Sequence, residues 1–351
     1  MNSHPAASKS QTRSLTPTEL LPLLCCPLCK GELVAIEAAL HCPSCSRDYP
    51  IVLGIPDLRA YPDPYIGFAD DHRKGERLQA RAELLNFAEL VRFYWEITPE
   101  APRDLRQHFI RHVLSDEERA AEWLECVRPV AQGGSRLLDV GCGTGALLKA
   151  ACGRFSTLIG CDIAFRWLVV ARKRLDESHV PAQLVCCCAD YLPFPKGCFD
   201  AAAAISLLEH LPRGQEVALR ECARVLRPAG AFWVISANRY SLGREPHVHV
   251  WGVGFLPRRW MAAYVRWRRG LPYDKFRRLS VFDVRRMFRG AGFERVALSV
   301  PRIGEADLRT RGATVRAAAR VFQFLSRIPL LGRLLILVSP LVQVVGFRSA
   351  E

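Results

Sequence analysis

Between Arg136 and Val300 the chain alternates short, nearly continuous apolar runs with longer stretches whose apolar residues recur at helical spacing. The runs are RLLDV (136–140), STLIGCDI (156–163), AQLVCCCA (182–189), FDAAAAIS (199–206), AFWVISA (231–237) and FERVALSV (293–300). Short apolar runs without polar alternation are the signature of strands buried on both faces. Strands alternating with helices predict an α/β architecture, a parallel sheet with helices on both faces. Between Asp63 and Arg128 the pattern changes: Leu84, Phe87, Ala88, Val91, Tyr94 and Trp95 fall on one helical face, as do Leu105, Phe109, His112 and Val113. A helical connector or cap is therefore expected over 61–131. Residues 17–60 hold short β-type runs between paired cysteines, and residues 1–16 are polar and small, the composition of a disordered tail.

The far end is apolar for a different reason. Ile328 to Phe347 contains one charge, Arg333, in twenty residues. Its uncharged part, Leu334 to Phe347, carries Pro340 and falls short of the roughly 20 apolar residues a spanning helix needs. A helical segment over 302–351 is expected, with 328–347 as a peripheral membrane contact, or else packed on its own domain or a second copy. The domain body is expected over 132–301.

Two cysteine pairs stand inside 17–60: Cys26-Pro-Leu-Cys29 and Cys42-Pro-Ser-Cys45. Each C-x-x-C knuckle offers two thiolates from one turn, and two knuckles complete the tetrahedral shell that Zn²⁺ prefers. A closed shell has no position for a substrate water, so the metal is expected to be structural. The stretch LLCCPLCKGELVAIEAALHCPSCSRDYPIVLGIPDLR resembles the small zinc-ribbon activator subunit of tRNA and release-factor methyltransferases. That resemblance implies an interaction and stabilising module with no catalytic role.

Of the remaining cysteines, Cys186-Cys187-Cys188 with Cys126, Cys152, Cys161, Cys198 and Cys222 read as small core residues. The first residues lack an apolar signal-peptide core. The expected location is cytoplasmic with reduced thiols, peripheral on the inner face of the membrane. A formal charge of +14 and a pI near 9.4 favour anionic partners without choosing among RNA, phosphorylated metabolites and acidic membranes. From Arg239 to Arg289 thirteen Lys/Arg stand against three Asp/Glu.

Arg136-Leu-Leu-Asp-Val-Gly-Cys-Gly-Thr-Gly145 is a buried strand running into a G-x-G-x-G turn and a helix. Asp162 ends the second strand, where a carboxylate can accept from both ribose hydroxyls, and Asp190 with Tyr191 ends the third. Together with Leu208-Glu-His-Leu211 and Arg224-Val-Leu-Arg-Pro-Ala-Gly230, these motifs resemble the class I S-adenosylmethionine-dependent methyltransferases, with their Rossmann-like sheet. The resemblance implies that Asp139, Gly141, Gly143 and Gly145 line the methionine side. Asp162 and Ile163 would then hold the ribose, Asp190 and Tyr191 the adenine, and Ser206 and Leu207 would close the floor.

Methyl transfer needs an aligned acceptor and, for a hydroxyl, a base; the candidates near the strand tips are His210, His247 and His249. Residues 239–279, after the fifth strand, form the expected substrate-recognition insertion, with Asn238, Arg239, Trp251, Arg258 and Arg259 as acceptor contacts. Arg244 and Glu245 are expected to pair. Metal binding by His247-Val-His249 lacks an evident third ligand. O-methylation of a small-molecule, glycan or lipid-linked acceptor is the first expectation. RNA base methylation through the ribbon and basic surface is the alternative, and an activator or partner-binding protein the third.

Overall fold

The protein is described from a computed structural model covering residues 17–98, 102–126, 136–211, 214–309 and 312–350. The expected tail 1–16 and the end of the connector lie outside the described residues. Two sheets are present. The small one is an antiparallel ribbon of β1 (Val34–Ile36), β2 (Ala39–Cys42), β3 (Arg47–Val52) and β4 (Ile55–Pro56). The large one has seven strands: β5 (Arg136–Val140), β6 (Thr157–Asp162), β7 (Ala182–Cys186), β8 (Phe199–Ile205), β9 (Leu226–Ala237), β10 (Ala297–Ser299) and β11 (Leu341–Phe347).

The order across this sheet is β10-β11-β9-β8-β5-β6-β7. β5 to β9 run parallel, and β11 is antiparallel to both β9 and β10. The six expected strands are therefore joined by a seventh, which corrects the expected boundary at 301 and the all-helical reading of 302–351. Val342 and Val344 of β11 are fully buried and pair with Ser236 and Val234. A strand covered on both faces looks like any uncharged apolar run, and Pro340, which cannot continue a helix, stands just before it.

Period-two alternation assigns neighbouring side chains to opposite faces. Leu138, Val140, Ile159, Phe232 and Val234 enter one core with the ribbon residues Leu20, Leu24, Leu33, Tyr49 and Leu58. Leu137, Leu158, Leu184, Trp233 and Ile235 enter the other, with Leu78, Leu90, Tyr94 and Trp123 of the connector. The ribbon thus covers one face and the connector helices Phe68–Ala82, Phe87–Glu96, Arg103–Leu114 and Asp116–Cys126 cover the other. Cys161, Cys186, Cys187, Cys188 and Cys222 are buried as expected, whereas Cys152 is exposed.

A buried ion network fastens the ribbon's exit to the tip of β6. Arg59 bonds Asp57 at 2.6 Å, Asp71 at 2.7 Å and the Ile163 carbonyl at 3.0 Å. Arg166 bonds Asp71 at 2.9 Å and Asp63 at 3.2 Å, and His72 meets Asp57 at 2.7 Å. Burial alone would push the Asp57 carboxyl up, but the bonds from Arg59 outweigh it and hold it below the usual range. Asp71 also accepts the backbone N–H groups of Phe165 and Arg166, capping helix Phe165–Glu177, whose own N-cap residue, Ala164, has no side chain to do so.

Candidate active site

The glycine loop after β5 is shaped by what surrounds it. Gly141 and Gly143 have φ of +73° and +50°, a region that glycine adopts without steric cost. A Cβ on Gly141 would stand 2.8 Å from Leu207, so Leu207 closes the loop's underside. A Cβ on Gly143 would meet nothing within 4 Å, so this glycine faces open space. Asp162 accepts the Gly143 N–H at 2.9 Å and the Ala164 N–H at 2.8 Å, locking the loop to the end of β6. The loop is also tied to the cap: Thr144 donates to Asp116, which Arg174 bonds at 2.8 Å.

Three acidic residues stand on neighbouring strands of the sheet: Asp139 on β5, Asp162 at the end of β6 and Asp190 beyond β7. Burial, with the Asp162 charge beside it, pushes Asp139 up to about 8. Burial also raises Asp162 to about 6, against the pull of its two backbone donors. Asp190, beyond β7, accepts a hydrogen bond of 2.5 Å from the Tyr61 hydroxyl, and Tyr61 packs edge-on to Tyr191. Tyr61 belongs to the segment leaving the ribbon, so the N-terminal module reaches the site directly. Sequence reasoning missed it, because nothing in the local pattern tells which way that segment runs.

The histidines resolve into two groups. His210 ends the 3₁₀ turn Leu208–His210 after β8; the turn is held by Glu209, which accepts from Ser236 Oγ at 2.7 Å. His247 Nε2 lies 3.3 Å from His210 Nε2, and His247 Nδ1 lies 2.8 Å from Glu245 Oε1. Glu245 is buried, and its second oxygen accepts the His247 and Val248 N–H groups. Burial, and then the neighbouring His247, lowers His210 to about 4, so its imidazole is neutral at physiological pH. Bonding and charge from His247 and Arg278 overcome burial and hold Glu245 below the usual carboxylate range. The expected Arg244–Glu245 pair is replaced by this Glu245–His247–His210 chain. A carboxylate two residues before a histidine was the available sequence signal.

His249 does not join it. Residues 246–248 form a turn, not a strand, so His247 and His249 do not share a face; His249 has φ +56° and its ring abuts His108, 4.7 Å between centroids. His108 and His112 come from connector helix Arg103–Leu114. The cap thus meets the insertion at His249.

Several expected acceptor contacts are engaged elsewhere. Asn238 is fully buried and donates to the Ile336 and Leu337 carbonyls. Arg239 donates to the Gly254 and Leu256 carbonyls, clamping the insertion onto β9's end. Arg258 stands 3.6 Å from Asp283, and Arg259 lies over the Trp260 ring. Trp251 is 61% exposed with its Nε1 donating to Leu242. What reaches His210 from the insertion is His247 and Phe276, stacked on each other at 4.2 Å. Ser206, exposed with φ +53°, stays at the tip of β8 beside the loop.

In the ribbon, the Sγ atoms of Cys26, Cys29, Cys42 and Cys45 lie within 4.8 Å of one another, and this is the cluster among the described residues suited to a metal. Sulfurs bound to Zn²⁺ at about 2.3 Å in a tetrahedron stand about 3.8 Å apart; Cys26–Cys45 and Cys29–Cys42 are 3.6 and 3.4 Å apart. The ribbon docks on the large domain through Cys25 N–H to the Pro193 carbonyl and Lys30 to Glu221 at 2.7 Å.

Comparison with known proteins agrees with both halves. The methyltransferase-domain family model matches residues 138–234, and the Trm112p-like protein model matches residues 18–54. The ubiquinone biosynthesis O-methyltransferase of Thiobacillus denitrificans is 32% identical over 160 residues, 45% of this chain and 63% of that protein. The enzyme of the same name from Albidiferax ferrireducens is 31% identical over 179 residues, 50% of this chain and 66% of that protein. The chain thus spans a little under two thirds of these relatives' lengths. A SAM-dependent methyltransferase from Thermotoga maritima of known structure is 19% identical, with a TM-score of 0.45 covering 69% of this chain and 95% of that one. One polypeptide here carries a class I S-adenosylmethionine-dependent methyltransferase domain and a Trm112p-like zinc-ribbon domain with a four-cysteine cluster.

Proposed function

We propose that the chain transfers the methyl group of S-adenosylmethionine to a hydroxyl of a small-molecule, glycan or lipid-linked acceptor, with neutral His210 as the base. The Glu245–His247–His210 chain, whose His210 stands three residues beyond the Leu207 that packs on Gly141, carries this reading. The ionised Glu245 fixes a proton on His247 Nδ1, which leaves His247 Nε2 an acceptor. His210 Nε2–H then donates to it, and His210 Nδ1 is the free acceptor for a hydroxyl proton. As that proton arrives, the Nε2 proton can pass toward His247, where the buried carboxylate stabilises the positive charge.

The residues fit the cofactor. A Cβ on Gly143 would meet nothing within 4 Å, and Asp162, which accepts the Gly143 N–H, ends the neighbouring strand. Asp139 and Asp162 would meet the methionine and ribose parts, and Asp190 with Tyr61 and Tyr191 the adenine. When bound, the sulfonium supplies an electrophilic methyl group. The protein's share is alignment, on the order of 7–11 kcal/mol, and proton removal, roughly 10²–10⁴-fold. The four ribbon thiolates would hold a structural Zn²⁺. The curated relatives, named for O-methylation in ubiquinone biosynthesis, support a hydroxyl acceptor.

The test is transfer of labelled methyl to total lipid, glycan, small-molecule and RNA fractions. Label in a hydroxyl-bearing acceptor of the first three classes is expected. Label in RNA alone, or in nothing, overturns the reading.

A further inference from the structure

The segment between β10 and β11 contains helices Ala313–Ser326 and Pro329–Leu335, and neither has a buried residue. A helix pair of this kind in a water-soluble fold ordinarily buries an apolar stripe against the core. Here the stripe faces outward: Val321, Phe324, Ile328, Leu330 and Leu334 are exposed, Phe324 by 65% and Leu330 by 73%. On the first helix Val321 and Phe324 stand at i, i+3, and on the second Leu330 and Leu334 stand at i, i+4, the spacings that share a helical face.

The charge on this segment has one sign. Between Leu308 and Ala350 there are seven arginines and neither Asp nor Glu. A groove of about 1000 Å³ runs between this pair, β10 and helix Val281–Gly290, and Arg285, Arg302, Arg327 and Arg333 line it. None of the four is in an ion pair among the described residues. Gln343 lines the same groove, and its buried Oε1 has no hydrogen-bond partner among the described residues. Guanidinium groups select phosphates, and an orphaned carbonyl oxygen selects a hydroxyl or N–H donor.

We infer that this helix pair docks on an anionic phospholipid surface, its apolar stripe in the headgroup boundary and its groove seating a phosphate headgroup. The matching of an acid-free arginine set to an exposed apolar stripe is the chemistry of an interfacial helix. No described helix is long and apolar enough to cross a membrane, so contact is peripheral. The surface is 313–335, not the expected 328–347, because Leu341–Phe347 is an internal strand of the sheet. The pair is joined to the active-site insertion: Asn238 N–H bonds the Pro340 carbonyl, Leu242 N–H the Val338 carbonyl, and Trp251 Nε1 the Leu242 carbonyl. Docking therefore brings the C-terminal end of the sheet, with His210, toward the lipid. The inference does not depend on the methyl-transfer reading.

The experiment is co-sedimentation of the full chain with vesicles of phosphatidylcholine, alone and with phosphatidylglycerol. Binding is expected only with the anionic lipid. Arg327→Gln with Arg333→Gln should weaken it roughly 30-fold at low salt, from about 1 kcal/mol for each arginine. Phe324→Glu with Leu330→Glu should abolish it. Because these side chains are exposed, the melting temperature and S-adenosylmethionine affinity of both double variants should match the parent, and failure here is separable from failure of the methyl-transfer reading. Equal binding to neutral vesicles, full retention by either double variant, or loss of a dimer in place of vesicle binding overturns the inference.

Discussion

Replacing Glu245 by Gln tests the proton relay with the smallest change of shape. Glu245 Oε2 accepts the N–H groups of His247 and Val248 at 2.7 and 2.9 Å, and an amide oxygen can keep both bonds. The amide nitrogen then falls where Oε1 stood, 2.8 Å from His247 Nδ1. Two donors cannot face each other, so His247 must carry its proton on Nε2. That proton points at His210 Nε2, 3.3 Å away, which has to become the acceptor. His210 is then protonated on Nδ1, the atom that should receive the acceptor's proton. The base is present but in the wrong tautomer, and kcat should fall by most of a general base's share, roughly 10²–10⁴-fold. The loss of a buried negative charge near Arg278, 3.9 Å away, should also cost about 1–3 kcal/mol of stability. The assay is turnover of labelled methyl into the lipid or small-molecule fraction, with S-adenosylmethionine affinity measured by calorimetry. Unchanged affinity with slow turnover is expected. Turnover within a factor of about three of the parent would refute the tautomer argument, since base removal has to cost far more.

Asp71→Ala removes the acceptor shared by Arg59 and Arg166 and should destabilise the chain by about 3–5 kcal/mol, read by chemical unfolding; a change under about 1 kcal/mol would show the network to be dispensable. The raised carboxyls of Asp139 and Asp162 make cofactor affinity pH-dependent. Their ionised forms favour the cationic ligand, so calorimetry should show affinity rising as pH passes about 6 and then about 8, and levelling above. By the same sign, the ligand-free protein loses stability as pH rises from the ordinary Asp range through about 8, because the folded state holds protons that the unfolded state has released; ligand-induced thermal stabilisation should therefore grow with pH. Metal chelation should unfold the ribbon and, through Tyr61 and Asp190, also weaken cofactor binding, whereas an apo-protein with full affinity would uncouple the two domains.

The parallel strands were legible because each is buried on both faces and bounded by turn residues. RLLDV, FDAAAAIS and AFWVISA all became strands of the sheet. β11 was not legible, since LVQVVGF is an apolar run that serves equally in a buried helix, and only its pairing with β9 decides. The glycine loop and Asp162 could be read because their chemistry is local to a strand end. The sequence also showed His210 and His247, but not that they meet, a contact that closes across thirty-seven residues. Asn238 and Arg239 were misplaced as acceptor contacts for a related reason. Polar side chains at a strand tip serve substrates or satisfy nearby carbonyls, and Ile336, Leu337, Gly254 and Leu256 supply those carbonyls from distant segments.

Methyl transfer with His210 as base is decided by labelled-methyl transfer from S-adenosylmethionine with the full chain and with His210→Ala, run beside Asp162→Ala. Incorporation by the parent is expected. His210→Ala should bind cofactor as tightly and transfer roughly 10²–10⁴-fold more slowly, and Asp162→Ala should fail to bind it. No incorporation by the parent, or a His210→Ala variant as fast as the parent, would rule out His210 as the base of a methyl transfer.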